Sequence, residues 1–204
     1  AGGRGRRAHH GGVEKWCRGD KDGVSRCGKG GGGEGEDAGV IGNEYGHAVH
    51  DAQVTGFGSS REAGSIGEAF GDYLAVTVGL HEATVNSWPV KTDPTCVADW
   101  DSVSYSLAPH CLRTLSENKQ YPEDLRGEVH ADGEIWSQAL WTIRTSLGAP
   151  VADRIIVNAQ FGFAPDTSFA AAAKTTVSTA NAMYGAREAK AVRVAFTARG
   201  IPSA

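Results

Sequence analysis

The run Asn43-Glu44-Tyr45-Gly46-His47 carries a glutamate and a histidine at the spacing of a metal-assisted hydrolytic helix. In the full pattern, H-E-x-x-H, two imidazoles at i and i+4 leave the same helical face and grip a zinc ion. The Glu beside the first His then stands next to a metal-bound water, whose pKa the ion lowers towards about 7. Glu44 and His47 hold their places, but position 43 is Asn, whose neutral amide oxygen is a poor zinc donor. Downstream, Gly67-Glu68-Ala69-Phe70-Gly71-Asp72 offers a helical Glu as a further ligand, with a carboxylate one turn later. Glu68 follows His47 by 21 positions (68 − 47), enough for a turn and a return on a neighbouring antiparallel helix. Asp72 is then placed to hydrogen-bond the residue at 43, as carboxylates behind a ligating His do. Taken singly, an E-x-x-H run or a helical Glu is ordinary, a core His and a solvated Glu. The ordered combination is what points to a site.

The elements that must hold these residues are helices. Val40, Ile41, His47, Ala48 and Val54 predict a mostly buried helix over 38–53, broken by the turn Thr55-Gly56-Phe57-Gly58-Ser59-Ser60. Ile66, Ala69, Phe70, Tyr73, Leu74 and Val76 predict a second over 62–80, with the small residues Gly67 and Gly71 suiting close helix approach. Residues 81–127 contain five prolines or glycines and no sustained period, and read as a long loop with short helical turns. A third helix over 128–147 presents Ile135, Trp136, Ala139, Leu140, Ile143 and Leu147 on one face. Three more follow near 150–162, 166–183 and 186–199, with Asp166 as an N-cap and Gly185 and Gly200 as C-terminal stops. No β-alternation of useful length occurs after residue 38.

Composition narrows the function classes. At 204 residues the chain can bury a sizeable core. A net charge of −4 points to neither nucleic acid nor an anionic membrane. No stretch approaches the roughly 20 apolar residues of a membrane helix, and Arg4, Arg6 and Arg7 are not followed by the apolar run of a signal peptide. Sixteen of the 28 glycines fall within the first 46 residues, so 1–37 reads as an irregular Gly-rich leader in which His9 and His10 are a solvated pair. The run Gly30 to Gly33 is a hinge into the first helix. Cys17, Cys27, Cys96 and Cys111 lack C-x-x-C spacing and favour disulfides and an oxidising compartment. Cys96 and Cys111 are expected to close the loop before His130, and Cys17 and Cys27 form the weaker pair.

On these residues, Val40–Val78 resembles the active-site region of fungalysin- and thermolysin-like zinc metallopeptidases, whose order is H-E-x-x-H, a turn, then E-x-x-x-D. Gly127-Glu128-Val129-His130-Ala131-Asp132-Gly133-Glu134-Ile135-Trp136 is similar to the helix carrying that family's second catalytic His. The tail from Phe163 to Gly200, with Met183-Tyr184-Gly185 and Val194-Ala195-Phe196, resembles its last two helices. The resemblance covers roughly residues 30–201. It implies a mainly α fold, the helical C-terminal lobe of such a peptidase, over residues 38–204. It also implies Zn2+ as cofactor, His47 and Glu68 as metal ligands, Glu44 as general base, and His130 as hydrogen-bond donor to the oxyanion. Polypeptide substrates and a secreted location follow, with no nucleic-acid or membrane partner. A carboxylate normally orients such a His, and Glu123, Asp124, Glu128 and Asp132 all lie near His130 in sequence. Residues 1–37 do not resemble the family's upstream, mostly β subdomain, so the chain reads as the lower half of a two-lobed protease. Asn43 and the absent cleft wall both lower the expected turnover. The competing reading is a non-catalytic fragment that keeps the fold as a binding or structural unit.

Overall fold

The computed structural model describes residues 37–204 except 92, 104, 105 and 109, and before them residues 18, 19, 25, 26 and 35. The expectations for His9, His10, Cys17, Cys27 and the run Gly30 to Gly33 lie outside the described residues. Two short strands, β1 (Arg18–Gly19) and β2 (Ser25–Arg26), pair antiparallel upstream. The rest is helical: α1 (Ala38–Gln53), α2 (Arg61–Val85), α3 (Asp99–Ser102), α4 (Val129–Leu147), α5 (Ala149–Gln160), α6 (Phe169–Tyr184) and α7 (Ala186–Thr197). One more antiparallel pair, β3 (Cys96–Val97) and β4 (Arg113–Thr114), sits in the long connection between α2 and α4.

Local chemistry sets the helix starts. Asp37 caps α1 by accepting from the Gly39 amide at 2.6 Å, and Ser60 caps α2 by accepting from Ala63 at 3.1 Å. At α6 the sequence reading is corrected: the cap is Ser168, whose Oγ accepts from Ala171 at 3.2 Å, not Asp166. Helix α6 therefore starts three residues later, because the turn before it is occupied by contacts to Ser60, which donates to the Asp166 carbonyl at 3.1 Å. Helix α2 runs to Val85, five residues past its expected end, since no Gly or Pro lies between Leu80 and Pro89.

The core forms where α2, α4, α5, α6 and α7 pack together. Ile66, Phe70, Tyr73, Ile135, Trp136, Leu140 and Ile143 are buried as their 3.6-residue spacing requires. Trp136 packs on Phe169 and Phe196, with ring centroids 5.4 and 4.7 Å apart. Helix α1 departs from its expected burial. Ile41 is exposed and so is Ala48, while the face turned inward carries Asn43, Gly46 and His50. This face is small and polar, so α1 adds little to the core and instead lies tightly along α2. A Cβ on Gly46 would sit 2.6 Å from the Gly71 Cα, and one on Gly42 would sit 2.8 Å from the Ala75 Cα. Only backbone-on-backbone packing fits there. Gly133 serves α4 in the same way, since a Cβ there would lie 2.9 Å from the Ser65 carbonyl of α2.

Candidate metal centre

Helix α2 is the shared wall of the site, with α1 on one side and the start of α4 on the other. Glu68 projects from α2 between two histidines. His47 Nε2 of α1 stands 3.4 Å from Glu68 Oε1, and His130 Nε2 of α4 stands 3.4 Å from Glu68 Oε2. The glycine contacts above allow this: the His47 imidazole lies over Gly67, and α1 could not come so near α2 with side chains at Gly46 and Gly71. The contact with Glu68 raises the His47 imidazole above its usual pKa, outweighing partial burial. For Glu68, burial acts upward, but His47, the charge of His130 and Arg113 together hold the carboxyl below its usual range. Glu44 occupies the exposed side of α1 beside Asn43, and its charge also favours the protonated form of His47.

The carboxylate behind His130, left open among four by sequence, is Glu128. Its Oε1 meets His130 Nδ1 at 2.6 Å, and the same side chain caps α4 by accepting from the His130 and Ala131 amides at 3.1 and 2.9 Å. Burial acts upward on Glu128, yet the His130 contact and the two amides bring its pKa down to about 2. Asp132 instead accepts from the Arg126 and Gly127 amides at 2.6 and 3.0 Å and shapes the turn into α4. Glu123 and Asp124 lie in the preceding loop, where Asp124 accepts from the Gln120 amide at 2.7 Å.

Behind His47 and Glu68 lies a buried polar chain. Asn43 Nδ2 donates to Asp72 Oδ1 at 2.8 Å and to the Glu68 carbonyl at 3.4 Å. Asp72 is 1 % exposed and is matched by Arg113, whose Nε and Nη2 donate to its two oxygens at 2.7 Å each. A bidentate guanidinium of this kind neutralises a carboxylate that could not otherwise remain buried. Arg113 sits on β4, close to Cys111, and the expected Cys96–Cys111 disulfide is present. Sequence reading missed Arg113: an Arg in the irregular stretch 81–127 carries no spacing signal. It also missed His50, one turn beyond His47, which is 1 % exposed with neither ring nitrogen hydrogen-bonded. His50 stacks on Phe57 at 3.8 Å and meets Phe70 at 5.3 Å.

A catalytic zinc takes three protein ligands and leaves one position open. His47 and Glu68 suit it by type and proximity. The third does not: the Asn43 nitrogen is committed to Asp72, and an amide oxygen is a weak zinc donor. Among the described residues no three His, Cys, Asp or Glu side chains are grouped to hold a metal ion. The residues present therefore do not fit a three-donor zinc site.

Comparison with known proteins agrees with the fold. The family described as thermolysin metallopeptidase, alpha-helical domain, matches residues 55–201, which begin just after α1. The precursor of protealysin, a metalloproteinase from Serratia proteamaculans, has a similar structure, with a TM-score of 0.63 at 21% sequence identity. That likeness covers 80% of this chain and 57% of the protealysin precursor, so this chain spans little more than half of that protein's length. No curated protein sequence matches this chain at a significant level. With the family's helical domain matched over residues 55–201, most of this chain, and the described residues folded as helices in a similar architecture, the chain belongs to the thermolysin metallopeptidases.

Proposed function

We propose that this chain is the catalytic part of a zinc-dependent metalloendopeptidase acting on polypeptides outside the cell, with its turnover limited by Asn43. The observation that carries this reading is the meeting of His47, Glu68 and His130 around one carboxylate, from three helices and across 83 positions (130 − 47). In this reading His47 and Glu68 would be the protein ligands of Zn2+. Glu44 takes the proton from the attacking water, and its place beside the ligand helix face suits a general base. His130, oriented through Nδ1 by Glu128, donates from Nε2 to the carbonyl oxygen as that oxygen gains charge. The Cys96–Cys111 disulfide supports an oxidising, extracellular setting. Among the described residues no helix is long and apolar enough to cross a membrane.

The test is hydrolysis of an unfolded protein such as casein in zinc-supplemented buffer, compared with buffer containing a chelator. Activity should be low, should require added zinc, and should vanish in Glu44→Gln with the circular dichroism spectrum unchanged. Hydrolysis that survives Glu44→Gln would assign the chemistry elsewhere and remove this reading.

A further inference from the structure

The mismatch at position 43 has a structural origin that says how the chain handles metal. The Asn43 amide is buried between α1 and α2, with its side-chain atoms packed against Gly71 so closely that a Cβ there would lie 2.6 Å from Nδ2. Its orientation is fixed chemically as well. A carboxylate at 2.8 Å must face the amide nitrogen, because the amide oxygen in that place would oppose two lone-pair acceptors. Arg113 donates to both oxygens of Asp72, so every member of the chain Arg113–Asp72–Asn43 is hydrogen-bonded without a metal. The amide oxygen, three bonds from Cα, also falls one bond short of where an imidazole Nε2 reaches. The nitrogen is different: Asn Nδ2 and His Nδ1 both stand three bonds from Cα, so Asn43 reproduces the half of an imidazole that faces Asp72 and lacks the half that would face a metal.

We infer that Asn43 is a hydrogen-bonding substitute for an imidazole, so that the residues here do not make a three-donor zinc site and any zinc held by His47 and Glu68 would be weakly bound and readily exchanged. The inference rests on the assignment of His47 and Glu68 as ligands. Two donors leave zinc with several positions filled by water, so occupancy follows the free zinc around the protein instead of being permanent. The fold, with its polar chain already satisfied, does not depend on that occupancy.

The experiment uses the whole chain freed of metal by chelator, with zinc ion alone as the probe and a chromophoric chelator as competitor. Asn43→Ala should bind zinc within about threefold of the unaltered chain, since the amide is not a ligand. Asn43→His should bind at least tenfold more tightly, because even an orienting partner lost behind a ligand changes affinity about 10–100-fold. A tenfold or greater loss of affinity in Asn43→Ala would make the amide a ligand and overturn the inference, leaving the His47 and Glu68 assignment intact. His47→Ala binding zinc as well as the unaltered chain would instead overturn that assignment. Should either variant at 43 fold poorly, Co2+ bound to the unaltered chain decides: weak, water-rich absorption supports two donors, and intense tetrahedral bands refute them.

Discussion

His50 gives the sharpest test of how α1 is held. It is buried against Phe57, Phe70 and Phe163 without a hydrogen-bond partner, and its pKa is lowered from 6.5 to about 4 by burial first and by the charge of His47 second. The folded chain therefore binds this proton less readily than the unfolded chain. Above pH 6.5 both states hold a neutral imidazole and His50 adds no pH dependence. As pH falls from 6.5 to about 4 the unfolded state takes up the proton alone and stability declines, and below about 4 the loss is complete. At 1.36 kcal/mol per unit, the lowering from 6.5 to about 4 corresponds to roughly 3 kcal/mol. His50→Leu removes the titration and keeps an apolar side chain among the aromatic rings. Urea unfolding followed by tryptophan fluorescence, with chelator present, should be run on both proteins from pH 7 to pH 4. The leucine variant should match or exceed the parent at pH 7, where an unsatisfied buried imidazole is lost. Its advantage should then grow by roughly 3 kcal/mol towards pH 4. Carboxylates such as Glu68 and Glu128 titrate in both proteins and cancel in the difference. Stability curves that run parallel over this range would show that His50 is hydrated or hydrogen-bonded in the folded state, and the account of α1 packing would be wrong.

Other outcomes follow from the same geometry. Reducing the Cys96–Cys111 disulfide, or replacing Cys111 by Ser, should lower stability by about 3 kcal/mol in the chain-entropy picture of a loop of this size, read as a fall in Tm. Arg113→Met should cost about 3–5 kcal/mol, because it strands the Asp72 carboxylate in the interior, and adding Asp72→Asn should recover part of that loss. An Arg113→Met chain as stable as the parent would mean Asp72 is protonated or solvated. His130→Ala should lower kcat more than it raises KM, as removal of a transition-state contact does; a change confined to KM would place His130 in substrate binding.

Much of the architecture was legible because the helices α2 and α4 carry apolar residues at helical spacing and bury them accordingly. The participants in the site were legible for a different reason: His47, Glu68 and His130 stand in motifs whose spacing fixes which way a helical side chain leaves. What was hidden depends on partners far away in the chain. Ile41 and Ala48 suggested a buried face for α1, but the crossing with α2 needs glycine at 46 and 71, and this turned the polar side inward. Arg113 finds Asp72 across 41 positions from a segment with no periodicity, so nothing local could announce it. The choice of Glu128 over its acidic neighbours rested on a cap geometry that only the start of α4 defines.

The contact of Gly46 with Gly71 has a mechanical consequence. Where two helices are separated by long side chains, rotamer changes let them move together or apart with similar ease. Here main chain meets main chain, and no compressible layer lies between. The separation of the α1 and α2 backbones thus has a hard lower limit at this crossing. A ligand or ion that needs α1 closer to α2 than it already stands finds no give in the main chain and must be met by movement of the His47 and Glu68 side chains.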